Sequence, residues 1–154
     1  RATLTQPPFN ASAMDGYAVR AADVSTLPAR LSLIGEARAG EAFSGSVGAG
    51  ECARIFTGAP VPAGADAIII QENTKADGSI VTVVEGSPDP AHIRPRGGDF
   101  AEGQGLLSPG RVLDARAILL AAAMGHGTLA VRKKPVIAVL ATGDELVEPG
   151  QKPG

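Results

Sequence analysis

Glycine and proline interrupt this chain so often that its regular elements must be short. They account for 20 and 12 of the 154 residues, more than a fifth together. A level this high approaches that of low-complexity sequence, yet apolar runs recur at short, regular spacing between the breakers. We therefore predict a mainly β fold with some α (α+β), rich in turns, rather than a disordered chain.

Short runs of β-branched and other apolar residues mark the predicted strands. They cover residues 31–35, 51–56, 67–71, 80–84 and 129–131, and extended backbone is expected at 17–20. Because the runs are short, we expect bulges. Asp77-Gly78 lies between the apolar runs 68–70 and 80–84, and Asp-Gly readily adopts the positive φ angles of a hairpin turn. A hairpin is therefore predicted there.

One segment has the pattern of a helix. Asp114 is a suitable N-cap, residues 115–124 are almost all good helix formers, and Gly125 can end the helix in the left-handed conformation. Since nearly every side of this helix is apolar, we predict that it is buried.

From Pro135 onward the pattern changes. A continuous apolar run at 136–140 precedes Thr142-Gly143-Asp144-Glu145, the pattern of a buried parallel strand that leads into a functional loop. The two acids suit Mg²⁺, which prefers oxygen ligands; the alternative is a short helical turn capped by Thr142 or Asp144. We expect the chain to be a piece of a longer protein whose next unit opens with this strand.

Charge and hydropathy exclude several classes of partner. The formal net charge is -2, with acids and bases interleaved, so we expect no basic face for nucleic acid or an anionic membrane. The longest apolar stretches, 117–124 and 136–141, fall far short of the roughly 20 residues that span a bilayer. With no leader sequence evident, a cytoplasmic location is expected. The single cysteine, Cys52, is interpreted as a small core residue rather than a reactive thiol.

Familiar catalytic motifs are missing from the sequence. It contains no Ser-His-Asp or Cys-His arrangement, HExxH, GxGxxG or GxxxxGK[ST] pattern, which argues against nucleophilic hydrolases, zincins, Rossmann sites and P-loop proteins. What remains is metal and anion chemistry based on oxygen ligands.

Two loops carry candidate polar groups. Asp15 stands among small residues directly before a glycine, where a carboxylate can bind a cation or orient a water, although a plain Asp-Gly turn is the alternative. Thr57-Gly58 follows a predicted strand and begins a proline-stiffened loop that presents a hydroxyl and open backbone. That loop lacks the following helix of a phosphate-binding loop, so its pattern is not specific.

A third candidate segment contains Arg94, Arg96 and Asp99. The guanidinium groups can donate bidentate hydrogen bonds to phosphate, carbonyl or carboxylate oxygens. Alternatively, they pair with nearby acids at the surface, where each bridge is worth about 0–1 kcal/mol.

Four segments, read in order, resemble the signature segments of MoeA-type proteins, the molybdopterin molybdenumtransferase and gephyrin E-domain family. They are PPFNASAMDGYA at 7–18, RIFTGAPVP at 54–62, RPRGGD at 94–99 and ATGDEL at 141–146. Ala11 stands where Asn is frequent in the family, and Gly98 where Glu is. The resemblance covers essentially the whole chain.

The resemblance implies an elongated fold of short, bulged, coiled β-sheets with one buried helix, plus the first strand of an α/β molybdopterin-binding domain. Residues 1–30 are expected to begin an extended linker domain I and 31–105 to form a β-rich domain II. Residues 106–134 are expected to return to domain I with helix 114–124, and 135–154 to start the truncated α/β domain.

The family inserts molybdate into adenylylated molybdopterin with release of AMP, assisted by Mg²⁺. The resemblance implies this enzyme activity for the whole protein, whereas this chain by itself is expected to be inactive because most of the α/β domain is missing. It also implies a homodimer with a site shared between subunits, and a molybdopterin-adenylylating enzyme as pathway partner. The alternative is a non-catalytic dimeric scaffold of the gephyrin E-domain type.

Individual roles follow from the same resemblance. The predicted catalytic residues are Asp15, Asp99 and Thr57. The predicted substrate-binding residues are Gly58, Arg94, Arg96, Asp144 and Glu145, of which the last two are expected on the nucleotide-pterin side. The predicted metal ligands are Asp15, Asp99 and Glu145.

Overall fold

The computed structural model describes residues 1–152, so the last two residues of the predicted domain 135–154 lie outside it. Its elements in chain order are β1 (Ala11–Ser12), β2 (Gly16–Val19), a 3-10 turn (Ala21–Val24), β3 (Ala29–Ala37), β4 (Glu51–Ile55), β5 (Ala67–Ile70), a 3-10 turn (Gln71–Asn73), β6 (Thr74–Asp77), β7 (Ile80–Val83), a 3-10 turn (Pro90–His92), β8 (Ile93–Arg94) and α1 (Ala115–Ala123).

Most strands join one six-stranded sheet with the order β5-β2-β4-β3-β7-β6, and β1 pairs with β8 in a small second sheet. Strands β3 and β4 run parallel, while the other neighbours within residues 1–152 run antiparallel. The register of β3 against β4 shifts between Leu33 and Gly35, which confirms that bulges occur. The strands predicted around 17–20, 31–35, 51–56, 67–71 and 80–84 are confirmed with small changes at their ends.

The sheet buries side chains on both faces because successive side chains of a strand point to opposite faces, and strands such as β2 and β5 are apolar or small at every position. One cluster contains Tyr17, Val19, Leu31, Cys52, Ile69, Val81 and Val83, among others. The opposite cluster contains Ala18, Ala37, Ile55, Ala59 and Ile68. Cys52 is fully buried, and burial raises the pKa of its thiol to about 11. Its interpretation as a core residue is confirmed.

The predicted hairpin forms at Gly78, whose φ is 58°, but its first strand differs from the prediction. Asp77 pairs with Ile80 across a two-residue turn, so β6, not the apolar run 68–70, is the partner of β7. The run 68–70 lies in β5 and pairs with β2 instead.

Helix α1 begins where the sequence predicts, with Asp114 Oδ1 accepting a hydrogen bond of 2.7 Å from the backbone amide of Ala117. Gly125 follows the helix with a φ of 91°. Only one side of the helix is buried, through Ala117, Ala121 and Met124. The prediction that the helix is buried throughout is therefore wrong, because packing neighbours lie on that side alone.

The opposite side of α1 faces outward. Ile118 is 54% and Leu119 is 71% exposed. Among residues 1–152, no helix combines the length and apolar character needed to cross a bilayer.

Residues 129–131 and 136–140 form no strand in the described structure, so both predictions are wrong for this chain. A strand needs a neighbouring strand to satisfy its backbone amides and carbonyls, and neither run pairs with another part of residues 1–152. The run 136–140 is highly exposed; Val136 is 99% and Leu140 is 87% exposed.

The domain boundaries at 30, 105 and 134 stay predictions. Strand β2 lies in the range 1–30, yet it is hydrogen-bonded between β4 and β5 within the large sheet.

Candidate functional site

Asp15 and Thr57 meet where two antiparallel strands end. Gly16 at the start of β2 pairs with Ile55 at the end of β4, so the residues just outside these strands become neighbours. Asp15 Oδ1 accepts hydrogen bonds from both the backbone amide and the hydroxyl of Thr57, each at 2.8 Å. The structure thus joins two of the predicted catalytic residues, which lie 42 positions apart in sequence.

These hydrogen bonds favour the ionised form of Asp15. The pKa of the Asp15 carboxyl is lowered from its ordinary value, first by the backbone amide of Thr57 and next by its hydroxyl. Desolvation opposes this effect, and the positive charge of Arg54 lowers the pKa further. Asp15 Oδ2 forms no hydrogen bond within residues 1–152, and the side chain is exposed. The site therefore offers one fixed, accessible carboxylate at neutral pH.

The loop that carries Thr57 and Gly58 is tied to β1. Gly58 donates its amide to the carbonyl of Ser12 at 2.8 Å, and Ser12 donates to the carbonyl of Ala59 at 2.9 Å. Gly58 has a φ of 84°, which suits a residue without a Cβ. The buried Ser12 side chain donates to the carbonyl of Met14, so the turn before Asp15 is fixed as well.

Arg94 and Asp99 form a second pair. Arg94 Nη2 donates to both carboxylate oxygens of Asp99, at 2.9 and 2.8 Å, and both side chains are about half exposed. Arg96 instead contacts the chain's N-terminal segment, donating its backbone amide to the Asn10 side chain and its Nε to the carbonyl of Pro8. The surface pairing considered for these arginines is thus observed for Arg94, and it is worth about 0–1 kcal/mol.

The two pairs lie on either side of β1 but do not merge. Ala11 bridges to Arg94 on one side and to Pro60 on the other. The backbone amide of Asp99 donates to the carbonyl of Gln6, which precedes β1 in the chain. Asp15 instead follows the C-terminal end of β1. Across residues 1–152, no group of three His, Cys, Asp or Glu side chains is close enough to hold a metal ion.

Asp144 and Glu145 lie in the exposed segment after α1. In the part of the chain that the structure describes, no ion pair or hydrogen bond joins either side chain to Asp15 or to Asp99. The metal-ligand roles predicted for Asp15, Asp99 and Glu145 therefore stay predictions.

Sequence reasoning missed Arg54, which lies on β4 directly opposite Tyr17. Its guanidinium carbon is 5.1 Å from the centre of the Tyr17 ring and 4.8 Å from that of Phe56. The available signal was a single cation between the apolar residues Ala53 and Ile55 of β4, but such a residue is usually a solvent-facing one.

Comparison with known proteins agrees with this fold. Residues 1–125 match the family model for the MoeA N-terminal region (domain I and II). Two solved structures of molybdopterin biosynthesis MoeA proteins from Pyrococcus horikoshii are similar. One has a TM-score of 0.79 and 34% identity and covers 99% of this chain and 40% of that protein. The other has a TM-score of 0.73 and 31% identity and covers 80% and 34%. The mainly β fold expected from the sequence is confirmed.

Curated relatives of similar sequence are named molybdopterin molybdenumtransferases. The chain is 39% identical over 153 residues to molybdopterin molybdenumtransferase 2 of Mycobacterium tuberculosis, covering 97% of this chain and 38% of the relative. It is 36% identical over 160 residues to the molybdopterin molybdenumtransferase of Nostoc sp., covering 97% and 36%. The chain thus spans less than two fifths of the length of these relatives. Because the family model covers most of the chain, the chain belongs to the MoeA N-terminal region family.

Proposed function

We propose that the protein containing this chain acts in molybdenum cofactor biosynthesis, inserting molybdate into adenylylated molybdopterin with release of AMP. Relatives that are 36–39% identical are named molybdopterin molybdenumtransferases. The observation that carries the proposal is the Asp15–Thr57 pair, which joins the two segments that most resemble the family's signature segments.

In this proposal Asp15 is the acid that binds or orients the reacting group. Thr57 donates both hydrogen bonds to Oδ1, and Oδ2 has no hydrogen-bond partner within residues 1–152, so Oδ2 can accept a hydrogen bond from water or contact a cation. The lowered pKa keeps the carboxylate ionised at neutral pH. The amide of Gly58 is already bound to Ser12, so Gly58 contributes an open surface without a side chain.

Mg²⁺ fits Asp15 better than it fits Asp99. Mg²⁺ commonly binds through one or two carboxylates, completed by waters and substrate phosphates, and Asp15 supplies one exposed carboxylate. Both oxygens of Asp99 accept from Arg94. When bound, the ion would neutralise phosphate charge and polarise the bond that breaks.

We assign Arg94 and Arg96 to anion binding. The Arg94–Asp99 pair is exposed, so an incoming phosphate or molybdate can compete with Asp99 for the guanidinium at little cost. Asp99 is then released to orient water or metal. Asp144 and Glu145 are assigned to the nucleotide-pterin side, in a part of the site completed by residues beyond this chain.

A homodimer is part of the same proposal. Asp15 and Asp99 lie toward opposite ends of the segment 6–15, so a site that uses both acids is most easily completed by a second subunit. The molybdopterin-adenylylating enzyme as pathway partner and the cytoplasmic location likewise remain proposals.

The test is molybdate-dependent release of AMP from adenylylated molybdopterin by the full-length protein with Mg²⁺. Asp15→Asn and Asp99→Asn should each reduce kcat at least ~100-fold, the scale on which a positioned acid or base contributes. Asp77→Asn, which changes an exposed acid at the hairpin turn of the edge strand β6, should leave turnover unchanged. A folded native protein without turnover would refute the proposal and favour the dimeric scaffold.

A further inference from the structure

The side chain of Arg54 links the segments that carry Asp15 and Thr57. Arg54 Nη1 donates to the carbonyl of Gly16 at 3.0 Å, and Nη2 donates to the side-chain oxygen of Gln71. The guanidinium also lies over the rings of Tyr17 and Phe56. One half-buried cation therefore contacts the start of β2, the end of β4 and the turn after β5.

Strand geometry explains why one side chain reaches all these groups. Arg54 and Tyr17 are directly opposed in the antiparallel pair of β4 and β2, so their side chains share a face of the sheet. Phe56 is two positions further along and returns to that face. Because Tyr17 is buried, its ring provides a fixed support for the guanidinium.

Three contacts of Arg54, with Gly16, Phe56 and Gln71, are each one residue or one hydrogen bond from the candidate site. Gly16 follows Asp15, and Phe56 precedes Thr57. Gln71, which accepts from Arg54, donates its own backbone amide to the carbonyl of Asp15 at 3.1 Å. Movement of the guanidinium would thus be passed to both partners of the Asp15–Thr57 hydrogen bonds.

We propose that Arg54 is the positioning residue of the Asp15–Thr57 site. It keeps the carboxylate of Asp15 and the hydroxyl of Thr57 within hydrogen-bond distance of each other. This inference rests on the proposed function of Asp15. Arg54 contacts neither substrate nor reacting atoms in this role; it acts through Gly16, Phe56 and Gln71.

The contacts require arginine rather than any cation. A planar guanidinium can donate in the plane to two acceptors while its faces meet aromatic rings, whereas a lysine ammonium is a compact point charge. Arg54→Lys therefore keeps the positive charge near Asp15 but loses the simultaneous hydrogen bonds to Gly16 and Gln71. A purely electrostatic role would survive this substitution, and a positioning role would not.

The experiment compares Arg54→Lys and Gln71→Met with the native full-length protein. Gln71 is exposed, so Gln71→Met removes one acceptor of Arg54 with little risk to folding. The matched control is Arg30→Lys, which changes an exposed arginine on β3 of the same sheet. The readouts are kcat and KM for AMP release, and the titration midpoint of the Asp15 carboxyl followed by NMR.

We expect Arg54→Lys to lower kcat about 10-fold to 100-fold, the scale of a small misplacement of a catalytic group, with KM changed less than about twofold. Gln71→Met should cause a smaller fall in kcat. In both variants the Asp15 midpoint should rise toward that of a free carboxyl, because the Thr57 hydrogen bonds lengthen. Arg30→Lys should match the native protein in all readouts.

A native kcat and a native Asp15 midpoint in Arg54→Lys would overturn the inference. If Arg54→Lys does not fold, Gln71→Met decides by the same two readouts, and native values overturn it there as well. A native protein without AMP release defeats the proposed function alone, because the Asp15 midpoint in the variants still reports whether Arg54 positions the pair.

Discussion

At Asp15 the pair with Thr57 links local stability to pH. The folded-state pKa of this carboxyl is lowered, chiefly by the Thr57 amide and then by its hydroxyl. A group with a lowered folded pKa stabilises the fold fully above its unfolded pKa, about 3.9 for Asp. This stabilisation is lost as the pH falls through the lower folded pKa.

The prediction is that the native chain's advantage in free energy of unfolding over Asp15→Asn is constant above about pH 5 and shrinks below the unfolded pKa of about 3.9. Denaturant unfolding of both proteins from pH 2 to 7 measures it. The other acids titrate in both proteins, so their effects cancel in the difference. Thr57→Val keeps the backbone amide but lacks the hydroxyl. Its advantage in free energy of unfolding over the double variant Asp15→Asn/Thr57→Val should therefore depend on pH less than the advantage of the native chain over Asp15→Asn. A difference that is independent of pH would contradict the argument.

At the scale of elements, β2 depends on a glycine at its first residue. Gly16 lies between β4 and β5, and a Cβ there would stand 2.1 Å from the carbonyl oxygen of Ile69. That neighbour is backbone and cannot rotate away, so the strands must separate.

Gly16→Ala should therefore reduce the free energy of unfolding by about 2 kcal/mol or more, at the upper part of the range for overpacking. Gly127→Ala is the matched control, since a Cβ at Gly127 has no atom within 4 Å, and its effect should stay within about 0.5 kcal/mol. Thermal unfolding of both variants compares them. Equal stability of Gly16→Ala and the native chain would contradict the prediction. It would show that β2 and β5 can move apart without a loss in free energy of unfolding.

Helix α1 depends on its N-cap. Asp114→Ala removes the acceptor for the amide of Ala117 and should cost about 1 kcal/mol of stability. Asp114→Asn keeps an acceptor and should retain most of it, which separates capping from charge. Urea unfolding followed by circular dichroism measures both. Equal losses in the two variants would assign the effect to charge rather than to the cap.

The elements that the sequence predicted correctly are those with an apolar pattern of their own. Strands β3, β4, β5 and β7 bury alternating or continuous apolar residues, and α1 has both cap signals. Strand β6 has the sequence TKAD and is mostly exposed, so it lacks a hydrophobic signature, and the sequence pattern favours the more apolar run 68–70 as the hairpin strand. This exposed edge strand is specified by its turn and its partner strand rather than by burial.

The candidate site was predictable as residue types but not as contacts. Motifs pointed to Asp15 and Thr57 separately, whereas their hydrogen bonds depend on the pairing of β2 with β4, which is distant in sequence. The role of Arg54 could not be predicted from the sequence for the same reason. Its partners come from three separate segments, at Gly16 and Tyr17, at Phe56 and at Gln71.

For the whole molecule, the exposure of the run 136–140 has a physical explanation. The chain spans less than two fifths of its curated relatives, and five adjacent apolar residues without a partner strand lose the burial that would order them. The segment that carries Asp144 and Glu145 then has nothing to position it. Under the proposed function, we therefore expect this chain alone to release no AMP under conditions in which the full-length protein does.

Amide hydrogen exchange tests the structural half of that expectation directly. In the isolated chain, residues 136–140 should exchange at the rate of an unstructured peptide. In a protein that continues past residue 154 as the relatives do, they should be protected roughly a hundredfold or more, as for a strand whose opening costs a few kcal/mol. Residues 53–55 of β4, which are buried or half-buried in this chain, provide the protected reference in both experiments. If 136–140 exchange freely in the longer protein too, the run is not a strand, and the proposed substrate-binding role of Asp144 and Glu145 loses its support.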